Sequence, residues 1–353
     1  MTIPDDVLIS VRDLQTHFVS DEGTTRAVDG ASFDVRPGKT LGIVGETGCG
    51  KSVTARSILR IVERPGRIVG GEILLRRAKG VVDLVDLDPD GREIRQIRGG
   101  EIGLVFQEPM TSFSPVHTVG DQVIEAIRLH KKLDAAKARA RAIELFGMVG
   151  INRAAGRLGE YSWQMSGGIR QRAMIAMALA GAPRLLIADE PTTALDVTTQ
   201  AQILDLLRRL QRETGMAIML ITHDLGVIAE MADDVVVMYL GRVVEQGPVD
   251  KIFHEPKHPY TRALLRSIPG VQNQARVMLP TIAGSIPHPF ARPAGCPFHP
   301  RCTEAIKGVS DVVVPEQIDL GGRHVVACHL YDAEAAREPA AGAAREPAAG
   351  AAR

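Results

Sequence analysis

The eight residues GETGCGKS, from Gly45 to Ser52, restrict the fold of this chain more than any other segment. They follow the apolar stretch LGIV and precede a helical pattern from Val53 to Val62. A strand, a glycine loop and a helix in this order form a βα unit that can bind phosphate at the helix N-terminus. A chance match in a glycine-rich chain would lack these flanking elements. The segment therefore predicts an α/β domain with a phosphate site at a strand end.

The loop has the spacing G-x-x-x-x-G-K-[ST], the Walker A motif of ATP-binding proteins. Lys51 is expected to neutralise the β- and γ-phosphates of ATP, and the Ser52 hydroxyl to ligate Mg²⁺. Cys49 occupies a variable position of the motif. We interpret it as a small side chain that fills space in the loop rather than as a redox switch. The predicted nucleotide contacts are Gly45, Glu46, Thr47, Gly48, Cys49, Gly50, Lys51, Ser52 and Val53.

Two acidic residues, Asp189 and Glu190, end the apolar run LLIA. Alone, such a pair is as consistent with a solvated strand end as with a site. Together with the Walker A loop it predicts that Asp189 helps to hold Mg²⁺, and that Glu190 is the catalytic base for the attacking water.

Several ordered motifs resemble the ATPase subunits of ABC transporters. MSGGIRQR, from Met165 to Arg172, resembles the ABC signature, in which Ser166, Gly167 and Gly168 open a helix. The resemblance implies that these N–H groups face the ATP held by a second ATPase subunit. An ordinary turn before a helix would not explain why ADEPTTALD follows at the spacing of this family.

The same resemblance assigns four further residues. Gln107 in VFQEPM is similar to the Q-loop glutamine that contacts Mg²⁺, and His223 in LITHD to the histidine that contacts the γ-phosphate. Asp196 resembles the D-loop aspartate of the dimer interface. Phe18 stands where the family places the aromatic that stacks on adenine, although a Phe in a strand is more often core. The implied catalytic residues are Glu190, His223 and Gln107, and the implied Mg²⁺ contacts are Ser52, Gln107 and Asp189.

The resemblance covers roughly residues 8–247 and implies an α/β fold. This fold is a P-loop NTPase (RecA-like) core with an antiparallel β subdomain and an inserted helical subdomain. We expect an ATPase domain over 1–255, with its helical subdomain at about 108–165 and helices from Val119 to about Leu158. GRIVGGEILL, from Gly66 to Leu75, predicts a β-hairpin. A small irregular C-terminal extension is expected over 256–332, and the repeated REPAAGAA predicts a disordered tail over 333–353.

Segments outside the nucleotide motifs resemble the oligopeptide/dipeptide/nickel importer branch. They are FQEPMTSFSPVHTVGDQV, HPYTRALLRSIPG, GCPFHPRC and VVACHL. The resemblance implies import of di- or oligopeptides, and nickel, glutathione or oligosaccharide cargo stays open because the ATPase touches no cargo. The implied partners are two transmembrane permease subunits, a second ATPase subunit, expected to be a different chain, and an extracytoplasmic substrate-binding protein. The loop after Gln107, up to about Val119, is expected to receive the permease.

Charge and hydropathy exclude other classes. The 42 Lys and Arg residues balance 42 Asp and Glu, so no basic footprint for nucleic acid is present. No apolar run reaches the length of about 18 residues that spans a membrane. The first ten residues carry Asp5 and Asp6 rather than the basic-then-apolar layout of a signal peptide. We therefore expect a peripheral protein at the cytoplasmic face of the membrane, attached through its permeases.

Two other classes compete with a transport ATPase. Soluble ABC proteins of DNA repair or of ribosomes usually carry two nucleotide modules or a long coiled coil, and this chain has one Walker A motif and no sustained heptads. The second competing class is a regulatory nucleotide-binding module that does not hydrolyse ATP. The presence of both Glu190 and His223 argues against it, since such a module would not need these two catalytic residues.

Three cysteines, Cys296, Cys302 and Cys328, cluster near the C-terminus. Some members of the importer branch carry four cysteines here, enough for an iron–sulfur cluster, and Val309 lies near the expected place of the fourth. A histidine could complete a metal site, the candidates being His299, His324 and His329. The alternative is a remnant of small buried cysteines, and this is the interpretation we prefer.

Overall fold

The computed structural model describes residues 2–107, 112–267, 282–288 and 290–332. The chain divides into two compact units, Met1–Val243 and Val244–Arg353. This division lies before the predicted boundary at residue 255. The predicted tail at 333–353 and the first residues of the predicted permease loop lie outside the described residues.

The first unit contains nine strands and eight helices among its described residues. The strands are β1 Ile9–Ser20, β2 Gly23–Val35, β3 Thr40–Val44, β4 Gly66–Arg77, β5 Gly80–Asp83, β6 Ile102–Val105, β7 Leu185–Asp189, β8 Ala217–Ile221 and β9 Asp234–Tyr239. The helices are α1 Lys51–Ile58, α2 Arg92–Ile97, α3 Val119–Lys131, α4 Ala135–Met148, α5 Ala154–Arg157, α6 Gly167–Ala178, α7 Val197–Thr214 and α8 Leu225–Met231.

Two sheets enclose the core of this unit. One is antiparallel, in the order β2-β1-β4-β5. Five strands of the other sheet are parallel, in the order β9-β3-β8-β7-β6. Buried aliphatic side chains of both sheets and of α1 form one cluster that includes Leu14, Ile73, Ile58 and Ile187. Every residue of β3, β7 and β8 is buried, as expected for a parallel sheet covered on both faces. The predicted α/β fold with an antiparallel subdomain is confirmed.

The predicted hairpin from Gly66 to Leu75 is wrong, because this segment is a single strand. The turn comes after Arg77, where β4 meets β5. Gly71 has φ of 88°, and a Cβ there would collide with the carbonyl oxygen of Asp13. The register of β1 against β4 shifts at this point, so the glycine pair makes a β-bulge rather than a turn.

The helical region after β6 is divided into short helices. The predicted helical stretch from Val119 to about Leu158 contains α3, α4 and α5. Thr118 caps α3 by accepting from the N–H of Asp121, and Asp134 caps α4 by accepting from Lys137. The helix predicted from Val53 to Val62 is α1, which begins two residues earlier and ends at Ile58.

The second unit has little regular structure. Its described elements are β10 Arg242–Pro248, which begins in the first unit, α9 Val249–His254, α10 Pro259–Arg266, β11 Ile318–Asp319 and β12 Val325–Val326. β12 pairs antiparallel with β10 and with β11. Within the described ranges of both units, none of the helices combines the length and hydropathy that a bilayer crossing requires.

A buried carboxylate organises this second unit. Glu245 of β10 is fully buried and accepts the N–H groups of Lys257 and His258 at 2.7 and 2.9 Å. Its Oε1 also lies 2.7 Å from Nε2 of buried His324. Burial lowers the pKa of His258 to about 3, and the Nδ1 of this neutral ring accepts from the N–H of Tyr260. The HPY sequence is therefore fixed to β10 through Glu245.

Candidate functional site

The glycine loop joins the carboxyl end of β3 to the first residue of α1. Gly45, Gly48 and Gly50 all have positive φ, at 151°, 81° and 102°. A Cβ on Gly50 would collide with the carbonyl oxygen of Ala27, whereas one on Gly48 would meet open space. The loop therefore depends on glycine for its backbone conformation, as a phosphate-binding turn does.

Lys51 is buried at the start of α1. Its ammonium donates to the carbonyl oxygens of Gly45 at 2.8 Å and Glu46 at 3.2 Å. These contacts hold the positive charge against the loop, beside the helix N-terminus. Together they form an environment that favours an anion.

Cys49 lies next to this ammonium, with its Sγ 3.7 Å from the Lys51 Nζ. Burial raises the pKa of the Cys49 thiol, although Lys51 lowers it. A buried neutral thiol suits a small space-filling side chain better than a reactive one.

Two of the three predicted Mg²⁺ contacts, Ser52 and Asp189, lie together. The Ser52 hydroxyl donates to Oδ1 of Asp189 at 3.0 Å. The pKa of Asp189 is raised, chiefly by burial. The negative charge of Glu190 also raises this pKa, and the hydrogen bond from Ser52 offsets part of the increase. A hydroxyl and a carboxylate are hard oxygen donors, so this pair fits a divalent cation such as Mg²⁺.

The Glu190 carboxylate collects side chains from three other positions. Its Oε2 accepts from Gln107 Nε2 at 3.0 Å and from the Thr193 hydroxyl at 2.9 Å. The Nδ1 of His223 lies 3.4 Å from Oε1. The structure thus brings the three predicted catalytic side chains together at one edge of the parallel sheet, where β6, β7 and β8 end.

Exposure and backbone geometry distinguish Glu190 from its neighbours. Its side chain is 15% exposed, whereas that of His223 is 64% exposed and open to solvent. Glu190 also has φ of 47°, and its N–H donates to the carbonyl of Ile221. A left-handed glutamate is uncommon and costs conformational energy, which the hydrogen bonds around it offset.

Sequence reasoning did not single out Thr193. It is the second threonine in PTTALD, a segment without the periodicity of a helix or a strand. Its position follows from the turn after Glu190, in which the N–H of Thr193 donates to the Glu190 carbonyl.

The signature segment opens α6. Ser166 is its N-cap and makes no side-chain capping bond, and Ser166 and Gly167 are exposed. None of the described hydrogen bonds joins residues 166–168 to residues 45–52. A Cβ on Gly168 would lie 2.7 Å from Cγ2 of Thr199. Thr199 donates its N–H and hydroxyl to Asp196, the N-cap of α7.

Phe18 lies on β1, half-buried. A Cβ on Gly66 would lie 2.6 Å from its ring, so the glycine leaves room for the phenyl group. The adenine-stacking role of Phe18 stays a prediction.

The C-terminal cysteines belong to the second unit. Cys296 and Cys328 are buried and Cys302 is half-buried, and none of the three is in a disulfide bond. Burial raises the pKa of Cys328 to about 11 and also raises that of Cys302. Among the described residues, no group of three His, Cys, Asp or Glu side chains is placed to hold a metal ion.

Each of the three histidines considered as a fourth ligand makes a hydrogen-bonding contact through one ring nitrogen. His299 Nδ1 lies 2.9 Å from the carbonyl oxygen of Cys296, and His324 contacts Glu245. His329 Nε2 lies 2.8 Å from the Val313 oxygen, while its buried Nδ1 has no partner among the described residues. The interpretation of these cysteines as packing residues rather than cluster ligands stays a prediction.

The fold and the site together define a P-loop nucleotide-binding protein. The family described as ABC transporter matches residues 28–193. The family described as oligopeptide/dipeptide transporter, C-terminal region, matches residues 244–308.

Curated relatives match almost the whole chain. "Probable peptide ABC transporter ATP-binding protein y4tR" of Sinorhizobium fredii is 49% identical over 324 residues, covering 92% of this chain and 95% of the relative. A Brucella abortus protein, provisionally named as a peptide import ATP-binding protein, is 53% identical over 298 residues, with 84% and 88% covered. The chain therefore belongs to the ATP-binding subunits of the ABC transporter family.

Solved structures agree with this assignment. The dimeric ATP-binding cassette MJ0796 in a post-hydrolysis state with ADP and phosphate is 27% identical, with a TM-score of 0.60, covering 69% of this chain and 99% of its own. CbiO1 of Clostridium perfringens, part of an ABC transporter complex, is 28% identical with a TM-score of 0.59, covering 71% and 92%.

Proposed function

We propose that this chain binds and hydrolyses ATP to power the import of di- or oligopeptides through a membrane transporter. The observation that carries the proposal is the meeting of Gln107, Thr193 and His223 at the Glu190 carboxylate, beside the Ser52–Asp189 pair. The peptide cargo is supported by the names of the two relatives and by the C-terminal family match.

The residues divide the work as follows. Lys51 and the loop N–H groups bind the β- and γ-phosphates, and Ser52, Asp189 and Gln107 hold Mg²⁺, which neutralises phosphate charge when bound. Glu190 accepts a proton from the attacking water. His223, whose side chain is 64% exposed, contacts the γ-phosphate and orients that water.

Two contacts position the base. Gln107 and Thr193 donate to the same oxygen, Oε2, and leave Oε1 to face His223. These two hydrogen bonds hold the Glu190 carboxylate in one orientation. Because Gln107 ends the β6 segment, a partner that moves this segment would also move the base.

The assembly follows from the family. Two ATPase subunits meet so that residues 166–168 of one face the ATP in the Walker A loop of the other, and the second subunit is a different chain. The exposure of Ser166 and Gly167 supports this arrangement. Two permease subunits hold the pair at the cytoplasmic face of the membrane, and an extracytoplasmic binding protein delivers the cargo.

The test is copurification followed by a transport assay. Full-length tagged chain, expressed with its neighbouring genes, is expected to bring down two multi-span membrane proteins and a second ATPase. In proteoliposomes, a peptide-loaded binding protein should stimulate ATP hydrolysis, whereas nickel chelates, glutathione and oligosaccharides should not. If one of those three compounds stimulates ATP hydrolysis instead, it is the cargo in place of peptides. If the tagged chain is recovered without any membrane protein, the transport role is wrong.

A further inference from the structure

A cavity with a strongly basic lining lies beside α2 and the end of α3. Its volume is about 760 Å³, within the range of about 300–1,000 Å³ that is usual for small-ligand pockets. α2 and its C-cap contribute Arg92, Arg95 and Arg98, and the end of α3 contributes Lys131 and Lys132. We call this space the cationic cavity. None of its lining residues is among the predicted nucleotide or catalytic residues.

Four of these cations have no partner of their own. Within the described residues, their charged groups make neither an ion pair within 4.0 Å nor a hydrogen bond, and they are Arg92, Arg95, Lys131 and Lys132. The C-terminus of α3 carries about half a negative charge, which favours the two lysines but does not balance them. An anion that enters the cavity can therefore pair with these four cations without breaking an existing contact.

The nearby acidic residues do not neutralise the cavity. Glu101, the one carboxylate of the lining, and Glu93 both pair with Arg77 at 2.7 Å, so this trio leaves one net negative charge. Asp90 acts on Arg98 and adds a second. Five lining cations, less these two charges and the half charge of the helix end, leave a surplus of more than two positive charges.

Arg98 differs from the other four cations. Its guanidinium donates to the carbonyl oxygens of Leu59 and Arg60, both at 2.7 Å, and so joins α2 to the end of α1. Its pKa is lowered, chiefly by burial, and the charges of Arg60 and Arg95 lower it further. Arg98 is therefore part of the framework of the cavity, and the experiments below leave it unchanged.

Two glycines of the lining offer backbone donors beside the cations. Among the described hydrogen bonds, none uses the N–H group of Gly100 or of Gly181. The two backbones lie close together, since a Cβ on buried Gly181 would lie 2.8 Å from Cα of Gly100. Backbone N–H groups without an acceptor are costly when they are buried, and phosphate oxygens accept from such groups readily.

We propose that the cationic cavity binds a compound with two or more phosphate groups. A phosphate group carries about one to two negative charges, so a surplus of more than two calls for more than one such group. The phosphates would pair with the four cations and accept from the two glycine N–H groups. The compound is either the headgroup of a lipid with two phosphates or a free polyphosphate, because both present the same chemistry. This proposal does not depend on the proposed transport function.

The first test measures binding of a free polyphosphate. Inorganic tripolyphosphate is titrated into the full-length chain by calorimetry, in a Glu190→Gln background with saturating MgATP, so that the nucleotide loop stays filled. We expect one tripolyphosphate per chain. Arg92→Gln with Lys131→Gln removes one cation from each side of the cavity and should weaken this binding about tenfold or more, since charge-assisted contacts are lost.

The matched control for this variant is Arg139→Gln with Arg212→Gln. These are two exposed cations that do not line the cavity, so the wild-type affinity for tripolyphosphate should remain. Both double variants should keep the melting temperature and the ATP affinity of the parent chain, because none of the four residues is buried.

The second test identifies the source of the phosphates. The chain is floated with phosphatidylcholine vesicles that contain either cardiolipin or phosphatidylglycerol at the same phosphate content. Capture by cardiolipin alone, lost in Arg92→Gln/Lys131→Gln but not in the control, would assign the site to a lipid. Tripolyphosphate binding without flotation would assign it to a soluble anion. Equal capture by both lipids would overturn the proposal, as would equal loss of binding in the two double variants or no binding of either probe.

Discussion

Glu190 is held by side chains that lie far apart in the sequence, Gln107 and His223, and by Thr193 close to it. Parallel strands end at one edge of a sheet, so side chains that follow β6, β7 and β8 must meet there. The clustering of Gln107, Glu190 and His223 was predictable for this reason. The contact of Thr193 with Glu190 was not predictable, because it depends on the left-handed backbone conformation of Glu190. No residue pattern in the sequence indicates that conformation.

Replacement of Glu190 by Gln tests the proposed base. The amide keeps the size of the side chain and leaves the phosphate loop untouched, but it cannot accept the proton of the attacking water. We expect ATP affinity to stay near wild type and turnover in the assembled transporter to fall by at least about 10²-fold. Glu213→Gln, an exposed surface change, is the control and should keep full turnover. Near-normal turnover in Glu190→Gln would remove Glu190 from the catalytic role.

At the scale of elements, the residue patterns predicted whether a segment is a helix or a strand better than they predicted its first and last residues. The apolar runs that predicted β3, β7 and β8 are fully buried strands. The GG pair at Gly70 and Gly71 predicted a turn, but in the structure it forms a β-bulge. The chain does not reverse there, because β4 stays paired with β1 on both sides of the two glycines. Local residues could not distinguish these outcomes, since both use glycine at positive φ.

The close approach of Gly168 in α6 to Thr199 in α7 calls for a second variant in the test of the signature segment. Gly168→Asp is expected to abolish hydrolysis in the dimer while ATP still binds this chain's own Walker A loop. A side chain there also meets Cγ2 of Thr199, so a local clash is a second possible cause. Thr199→Ser removes that methyl group and keeps the bonds to Asp196. If Gly168→Asp/Thr199→Ser regains hydrolysis, the effect is local. If it stays inactive, the side chain acts on the ATP of the other subunit.

The Glu245 network predicts a stability effect in the second unit. Glu245→Ala leaves the N–H groups of Lys257 and His258 and the ring of His324 without their buried acceptor. Removing one partner from such a network costs about 3–5 kcal/mol. We expect the free energy of unfolding, from urea titration followed by circular dichroism, to fall by that amount. Glu255→Ala, which removes an exposed carboxylate of the same unit, should change it by less than about 1 kcal/mol.

At the scale of the whole molecule, the two units differ in how far their sequences determine them. The first has strong periodicity and ordered motifs, and its architecture was predictable. The second depends on single buried contacts such as Glu245 with His324, and its Pro- and His-rich sequence shows no period that would predict them.

The repeat at 333–353 is expected to contribute nothing to stability. Its Ala, Gly, Pro and balanced Arg and Glu side chains offer almost no apolar area to bury against the entropy of ordering the chain. A chain truncated after Asp332 should keep its melting temperature and its transport rate. A drop of several degrees in calorimetry would mean that the repeat docks on the protein.

Iron content tests the interpretation of the C-terminal cysteines. Cys296, Cys302 and Cys328 offer three thiols, and Val309 lies near the position where a fourth was expected. The histidines that could replace it hydrogen-bond to Cys296, Glu245 and Val313. Among the described residues, no group of three His, Cys, Asp or Glu side chains is placed to hold a metal ion. Anaerobically purified protein is therefore expected to contain well below the four iron atoms per chain of a [4Fe–4S] cluster.

The opposite result has a clear signature. A brown preparation with broad absorbance near ~400 nm and stoichiometric iron and sulfide would show that a cluster forms with only three thiolates. In that case Cys328→Ser should bleach the colour and lower the melting temperature, because the metal would then hold together a unit with little regular structure. Cys49→Ser, in the nucleotide loop, should leave the absorbance unchanged and serves as the control. Colourless protein with unchanged melting temperature in Cys328→Ser would leave these cysteines as packing residues of a buried, proline-rich segment.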